Sequence, residues 1–278
     1  QVAVVETYDG TSWAEGANVN QAREMGTAAN QAPATSTVFF GGSASPIPGQ
    51  ANHTEIYDGT SWTEVANMRD ARSGMAGAGN SSTSALSAGG EGALTTNTET
   101  WNGTSWTEVN NLNTQRAFCS GAGLATAALA MGGETQATPH SEVTSTESWN
   151  GTCWTEVSAL NQKRSGGGAC GIQTAALYFA GYVQGPNPTP VYHSQTEAWD
   201  GSTWAEVADL ASERASSPAG FGIQTAAICA GGQIAPGKLN ITEEFTVPSG
   251  AISIVQEGQV WYNTTSTVLK GFGQQGTG

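Results

Sequence analysis

The sequence has 278 residues, of which only 12% are charged, and 23 Asp and Glu against 9 Lys and Arg give a formal net charge of −14. Because nucleic acids and anionic membranes attract Lys and Arg, this balance argues against both as partners. No run of about 18 apolar residues occurs, so we expect no membrane insertion. Nine Trp, six Tyr and seven Phe, many in fixed register, indicate an ordered β structure rather than a disordered chain.

The first predicted element is a β-hairpin at residues 6–15, and the chain repeats it four more times. The clearest copy, residues 98–109, places Asn102-Gly103 between two β-prone arms, and Asn-Gly supplies the positive φ angles of a tight hairpin turn. The turn glycines lie 44 to 50 residues apart, a period typical of propeller blades or a β-solenoid. The second arm of each hairpin begins with a tryptophan, namely Trp13, Trp62, Trp106, Trp154 or Trp204.

Each hairpin is followed by a linking segment, which we call the link. After the link come a Gly/Ala/Ser-rich stretch and then an apolar strand that ends in small residues, as in 127–133. The full unit is therefore predicted to have four strands, with small side chains on the first and tryptophan on the last. Inner strands of a propeller converge while outer strands spread, so this gradient favours a blade over a flat solenoid. The link repeats an arginine four positions after an apolar residue, at Arg23, Arg72, Arg116, Arg164 and Arg214.

These features together resemble the kelch family of β-propellers. The matching residues are the double glycine Gly89-Gly90, Trp101, Trp106 and Arg116, and the resemblance covers roughly residues 4–247. It implies an all-β, kelch-like propeller of four-stranded blades. The near-identity of the repeats also looks like propeller proteins encoded by phages of aquatic bacteria, and this second resemblance implies a place on the virion.

Five blades are expected for residues 1–247, with the N-terminal hairpin pairing with the last inner strands, because closure leaves no exposed sheet edge. Residues 241–247 repeat the third-strand pattern without its turn. The chain shows no initiator Met and no signal-peptide pattern, so Gln1 is interpreted as a processed or truncated start. If it is truncated, the blade number rises to six or more.

Residues 248–278 are predicted as a separate C-terminal β element for anchoring or assembly, since so short an element is marginal alone. Its strands are expected at 251–255, 260–262 and 268–269. Residues 257–263 look like the short β modules at the ends of bacteriophage virion proteins. The resemblance makes other virion proteins the expected partners of this element, and a homo-oligomer is an alternative.

Binding is predicted on the loops between the second and third strands, because these loops vary in length while the scaffold repeats. They span residues 43–53, 91–97, 134–145, 182–195 and 233–240 and share a face with the links between blades. All three histidines lie in them, and two tyrosines of the longest loop could stack on a sugar ring. The candidate binding residues are His53, His140, Tyr182, Tyr192 and His193.

The repeated arginines are predicted to be structural rather than ligand-binding, because five equivalent positions fit a role in every blade. Each arginine could pair with an acid of the third strand, as Glu99 and Glu147, or of the fourth strand, as Glu108 and Glu156. The Asp-Gly turns differ from the Asp-box of sialidases, since Asn102 replaces Asp, and are interpreted as turn chemistry.

The four cysteines occupy non-equivalent repeat positions and are interpreted as substituted small residues, not as disulfides or zinc ligands. No catalytic arrangement stands out, so we expect no enzyme and no cofactor. The resulting hypothesis is a bacteriophage virion structural protein, on the tail, a fibre or the capsid, that contacts host surface glycans or virion proteins. A secreted bacterial adhesion or matrix module is the alternative, followed by a sialidase-like or oxidase-like carbohydrate-active enzyme.

Overall fold

The computed structural model describes residues 3–44, 49–92, 96–135, 141–184, 189–216, 218–247, 260–263 and 268–271. Every regular element in these ranges is a β-strand, which confirms the all-β prediction. Among the described residues there is also no helix that could span a membrane.

Up to the end of the first blade the strands are β1 (Glu6–Tyr8), β2 (Trp13–Glu15), β3 (Arg23–Glu24), β4 (Thr27–Ala28), β5 (Thr37–Phe40), β6 (Ser43–Ala44), β7 (Thr54–Tyr57) and β8 (Trp62–Glu64). The second blade has β9 (Ala76–Ser81), β10 (Ser84–Ala88), β11 (Thr98–Trp101) and β12 (Trp106–Val109). The third has β13 (Ser120–Leu124), β14 (Ala127–Met131), β15 (Glu134–Thr135), β16 (Ser141–Glu142), β17 (Thr146–Trp149) and β18 (Trp154–Val157).

The fourth blade has β19 (Gly168–Ile172), β20 (Ala175–Phe179), β21 (Tyr182–Gln184), β22 (Pro190–Tyr192), β23 (Thr196–Trp199) and β24 (Trp204–Glu206). The fifth has β25 (Ala219–Ile223), β26 (Ala226–Ala230), β27 (Gln233–Ile234), β28 (Gly237–Lys238) and β29 (Thr242–Thr246). Two further strands, β30 (Val260–Asn263) and β31 (Val268–Gly271), pair with each other as an antiparallel hairpin.

The blades are antiparallel sheets in which the strands neighbour one another in chain order. The first four sheets are β4-β5-β7-β8, β9-β10-β11-β12, β13-β14-β17-β18 and β19-β20-β23-β24, and the fifth is β25-β26-β29. The prediction of a five-bladed propeller is therefore confirmed. Small ribbons, β15-β16, β21-β22 and β27-β28, rise from the loops between second and third strands.

The predicted mode of ring closure is wrong. The hairpin β1-β2 forms a sheet of its own, whereas the last inner strands, β25 and β26, continue into β29. The reason is that residues 242–246 supply a third strand close in the chain, and a short connection costs less loop-closure entropy than one to the distant N-terminal hairpin.

The hydrophobic core lies between blades, where the tryptophans of one blade pack on the first two strands of the blade before it. Val38 and Phe40 of the first blade share a cluster with Trp101 and Trp106 of the second, and the Phe40 and Trp106 ring centroids are 4.8 Å apart. Near the axis space is so short that a Cβ on Gly121 would collide with the backbone of Gly77 in the neighbouring blade. The gradient of side-chain size seen in the sequence is thus a gradient of distance from the axis.

The chain divides into two compact units, Gln1–Phe245 and Thr246–Gly278. The strand pair β30-β31 covers the predicted strands at 260–262 and 268–269. The strand predicted at 251–255 lies outside the described residues.

Candidate functional site on the loop face

The loops between second and third strands lie beside the links between blades, and we call this side of the propeller the loop face. A backbone bridge joins link to loop in successive blades: Ser73 to Glu91, Ala117 to Glu134, Ser165 to Tyr182, and Ala215 to Gln233. The strand turns at residues 172–175 and 200–203 lie at the opposite strand ends, since antiparallel neighbours alternate in direction. The loop face is therefore the side where the variable residues meet.

The repeated arginines lie beneath this face and are buried. Arg116 is a typical example: it donates to Oε1 of Glu147 at 2.6 Å and to the carbonyl oxygen of Ser145 at 2.8 Å. The other pairs are Arg23–Glu55, Arg72–Glu99, Arg164–Glu197 and Arg214–Glu243. Of the two acid sets left open by the sequence, the third strand supplies the partners. Burial lowers the pKa of Arg23 and of Arg72, while the paired glutamates oppose that shift.

Each of these glutamates also holds the link through its second oxygen. Oε2 of Glu147 accepts hydrogen bonds from the backbone N–H and the side-chain amide of Asn113, both at 2.8 Å. The arrangement recurs with Asn20 on Glu55 and Asn161 on Glu197. The arginine and the glutamate thus hold the link and the loop to the third strand of the blade. The base of the loop face is therefore fixed by buried contacts.

The described histidines are each bound within their own blade. His53 Nδ1 lies 3.3 Å from Oε1 of Glu64, and His193 Nδ1 lies 2.8 Å from Oε1 of Gln195. Nε2 of His193 is buried without a hydrogen-bond partner among the described residues, a condition that an ordered water or ligand ordinarily relieves. His140 lies outside the described residues.

Tyr182 and Tyr192 are cross-strand partners in the ribbon β21-β22, at the loop face of the fourth blade. Both side chains are half-buried, and Val191, which precedes Tyr192 in β22 and pairs with Val183, is 49% exposed. Burial, with a smaller contribution from two nearby carboxylates, Glu134 and Glu142, raises the pKa of Tyr182 above its ordinary value. The ribbon offers aromatic rings and hydroxyl groups on one face, which suit a sugar ring or a protein side chain, and the apolar Val191 on its other face.

The two carboxylates beside Tyr182 were not predicted from the sequence. Glu134 and Glu142 face each other across the ribbon β15-β16 and are both buried. Oε1 of Glu142 accepts the backbone N–H of Gln184 at 2.7 Å, and Oε2 lies 3.9 Å from Nζ of Lys163. These contacts join the third-blade ribbon to the fourth. The one available sequence signal is that a glutamate stands near each end of the same loop.

A central cavity of about 580 Å³ is lined mainly by apolar groups of the inner strands and the N-terminal hairpin. In the described part of the chain no three His, Cys, Asp or Glu residues are grouped so that they could hold a metal ion. Of the residues predicted to bind, the described ones lie on the loop face and not on this cavity.

No protein-family profile and no curated protein matches the sequence. Among solved structures, that of YjhT superposes on this chain with a TM-score of 0.73 at 14% sequence identity, covering 89% of this chain and 90% of that chain. At this identity the likeness shows the fold alone. The chain is therefore a five-bladed β-propeller that shares its fold with YjhT.

Proposed function

We propose that the protein is a non-enzymatic structural protein of a bacteriophage virion, displayed on the tail, a fibre or the capsid. Its loop face binds host surface glycans or a neighbouring virion protein, and its C-terminal residues 248–278 attach it to other virion proteins. The observation that carries the proposal is that the repeated Arg–Glu pairs of the blades are buried, whereas the variable loops lie at the surface on the loop face.

The buried ion pairs support binding over catalysis. Arg72, Arg116 and Arg164 have side chains that are at most 1% exposed, so they do not reach a substrate carboxylate. His53 and His193 are each engaged inside their own blade and form no common acid–base group. What remains on the loop face is a set of ribbons with Tyr182, Val191 and Tyr192 on one of them.

The virion assignment is supported by the sequence. The near-identity of the repeats looks like that of propellers encoded by phages of aquatic bacteria, and residues 257–263 look like modules at the ends of virion proteins. This is an argument by family analogy. It predicts that antibodies against the propeller label intact phage particles in electron micrographs.

The binding half of the proposal is tested with two matched substitutions of exposed apolar residues. Val191→Asp alters the loop face, and Ile172→Asp alters a strand end on the opposite side; these residues are 49% and 44% exposed. We expect Val191→Asp to weaken adhesion of the purified protein to host cells, and Ile172→Asp to leave it unchanged.

Two results would contradict the proposal. If purified particles lack the protein and it is found in the culture medium of a bacterium, the secreted adhesion module is the correct assignment. If the purified protein turns over glycans, and substitution of loop residues abolishes turnover, the protein is an enzyme.

A further inference from the structure

The hairpin β1-β2 lies where the outer half of another blade would be. Trp13 donates from Nε1 to Oγ1 of Thr242 in the fifth blade at 3.0 Å. Trp154 makes the same bond to Thr98 of the preceding blade, also at 3.0 Å. On the other side, the link after β2 reaches the first blade, where the N–H of Asn20 donates to Glu55. The hairpin thus stands between the fifth and first blades as a third and fourth strand, and the described residues supply no first and second strand beside it.

The fifth blade is uncovered on the side that faces this gap. Phe221 and Ile228 are cross-strand partners in β25 and β26, as Ala122 and Leu129 are in β13 and β14. Ala122 and Leu129 are at most 1% exposed because the fourth blade covers them, whereas Phe221 is 46% exposed and Ile228 is half-buried. An inner face that other blades bury is therefore open here.

The first blade is uncovered on its opposite side. Trp106 is buried because Phe40 of the preceding blade packs on it. The equivalent Trp62 is half-buried, and so is Phe39 beside it at 6.4 Å between ring centroids. Phe39, Trp62, Phe221 and Ile228 all line the cavity of about 580 Å³, so the two open flanks face one space.

The edge of β1 that faces this space has free backbone groups. The N–H of Asp9 donates to Ser12 and that of Gly16 to Val5, so alternate residues of β1 point to β2. The backbone groups of Glu6 and Tyr8 consequently point the other way. In the four-stranded blades the second strand pairs with this edge, as β14 pairs with β17, but in the described part of the chain β1 pairs with β2 alone.

Glu6 indicates that a strand pair seated in this gap would carry an arginine. It is the counterpart of Glu55 and Glu147, each of which binds the arginine that precedes the first strand of its own blade. Glu6 is exposed and has no ion pair among the described residues. In the other blades this arginine precedes the first strand, and no first strand stands beside β1-β2 among the described residues.

We propose that the gap seats a two-stranded β-hairpin of the kind that forms the inner half of the other blades. Its sequence would run Arg, a Gly/Ala strand, a tight turn, and an apolar strand ending in Gly-Gly. Small residues are required because inner strands nearly touch, and the apolar strand would cover Trp62 as Phe40 covers Trp106. A hairpin also pairs with the free edge of β1, which a sugar or a helix does not.

The occupant is assigned to polypeptide that runs directly into β1. In all four four-stranded blades the strands follow the chain order first to fourth, so the strands that complete β1-β2 would come immediately before them. The assignment rests on this order and on the open flanks.

The test adds such a hairpin to the full chain. A copy of residues 111–135, which contains Arg116 and the hairpin β13-β14, is joined ahead of Val4 through a linker of about ten residues. We expect a higher melting temperature and about tenfold slower amide exchange at Glu6 and Tyr8. A matched fusion with proline at the copied positions of Ala128 and Ala130 should give neither, since proline removes ladder donors.

Glu6 supplies a sharper control. Glu6→Gln should leave the unfused chain unchanged, because the side chain is exposed, but should remove most of the stability gained by the fusion. Glu15→Gln, on the neighbouring strand and also exposed, should leave that gain intact. A second fusion that carries residues 159–183, with Arg164 and β19-β20, provides an independent donor.

The proposal is overturned if neither donor slows exchange in β1, or if Glu6→Gln and Glu15→Gln affect the fusions equally. It is also overturned if the unfused chain protects β1 in a concentration-dependent dimer, because the occupant would then be a second copy.

Discussion

The guanidinium of Arg116 lies 2.6 Å from Oε1 of Glu147, and both side chains are at most 1% exposed. The other oxygen of Glu147 receives the backbone N–H of Asn113. One buried pair therefore fixes the link, the loop and the third strand of its blade. An equivalent pair recurs in every blade, although Glu243 in the fifth is 21% exposed.

We expect Glu147→Gln to lower the free energy of unfolding by about 3–5 kcal/mol, because it leaves the Arg116 charge buried without its counter-ion. Glu156→Gln is the matched control: Glu156 is the cross-strand partner of Glu147 but is exposed. Urea denaturation measures both, and equal effects would mean that the pair adds nothing beyond a surface charge.

Trp106→Ala should lower the free energy of unfolding by about 3–5 kcal/mol, because Trp106 is buried against Phe40 and its removal leaves a cavity between blades. Trp13→Ala should lower the free energy of unfolding by clearly less, since Trp13 is only half-buried. Melting temperatures of the two variants compare them directly. A similar loss for both would contradict the account of the core as lying between complete blades.

Gly121→Ala should destabilise the propeller strongly, because its Cβ would meet the backbone of Gly77 and a backbone cannot turn aside as a side chain can. Gly237→Ala, at a position with open space around the added Cβ, is the control and should be tolerated. Circular dichroism melting distinguishes them. A stable Gly121→Ala protein would show that adjacent inner strands can separate.

The hairpin turns should weaken in acid. Hydrogen bonds from the backbone of Thr203, and then from Ser202, lower the pKa of Asp200 to about 2 from its ordinary 3.8. A carboxylate with a lowered pKa in the folded state stabilises above its ordinary pKa and loses that contribution as the pH falls towards about 2. Backbone hydrogen bonds in the equivalent turns also lower the pKa of Asp9 and Asp58.

The test of this pH dependence replaces all three aspartates by asparagine. Asn102 and Asn150 already accept the same backbone bonds in their own turns, so the turn should be retained without a titrating group. We expect the triple variant to lose less stability than the unmodified protein between pH 4 and pH 2. Parallel curves would show that other carboxylates dominate acid unfolding.

A single thiol should react in the folded protein. All four cysteines are free, and Cys153 is the exposed one. Burial raises the pKa of Cys170 and of Cys229 to about 12 and also raises that of Cys119, so these thiols are neutral and inaccessible at neutral pH. Mass spectrometry after alkylation should show one adduct on the native protein and four after denaturation. Modification of Cys119 at the native rate of Cys153 would contradict the packing between blades.

The sequence by itself determined the elements of the blade. Asn102-Gly103 specified a hairpin turn, and its glycine has a φ of +92°, a value that other residues rarely adopt. The positive φ predicted for Asn102 is wrong: the loop spans residues 102–105, and Asn102 closes it by accepting the N–H groups of Thr104 and Ser105 on Oδ1. The small residues around Gly121 identified the inner strands, and the tryptophans identified the outer strands. These features were predictable because they depend on the conformation and size of single residues repeated at a fixed spacing.

Only the tertiary structure decided which groups meet. Glu147 and Glu156 are alike in their local sequence, yet Arg116 binds Glu147 because the third strand is flanked on both sides while the fourth is the outer edge. The separation of the hairpin β1-β2 from the fifth blade and the pair Glu134–Glu142 were likewise decided by packing. The physical reason is that contacts between side chains depend on their distances in the folded propeller. Residues far apart in the chain can come equally close to one group, and the local sequence does not show which of them will bind it.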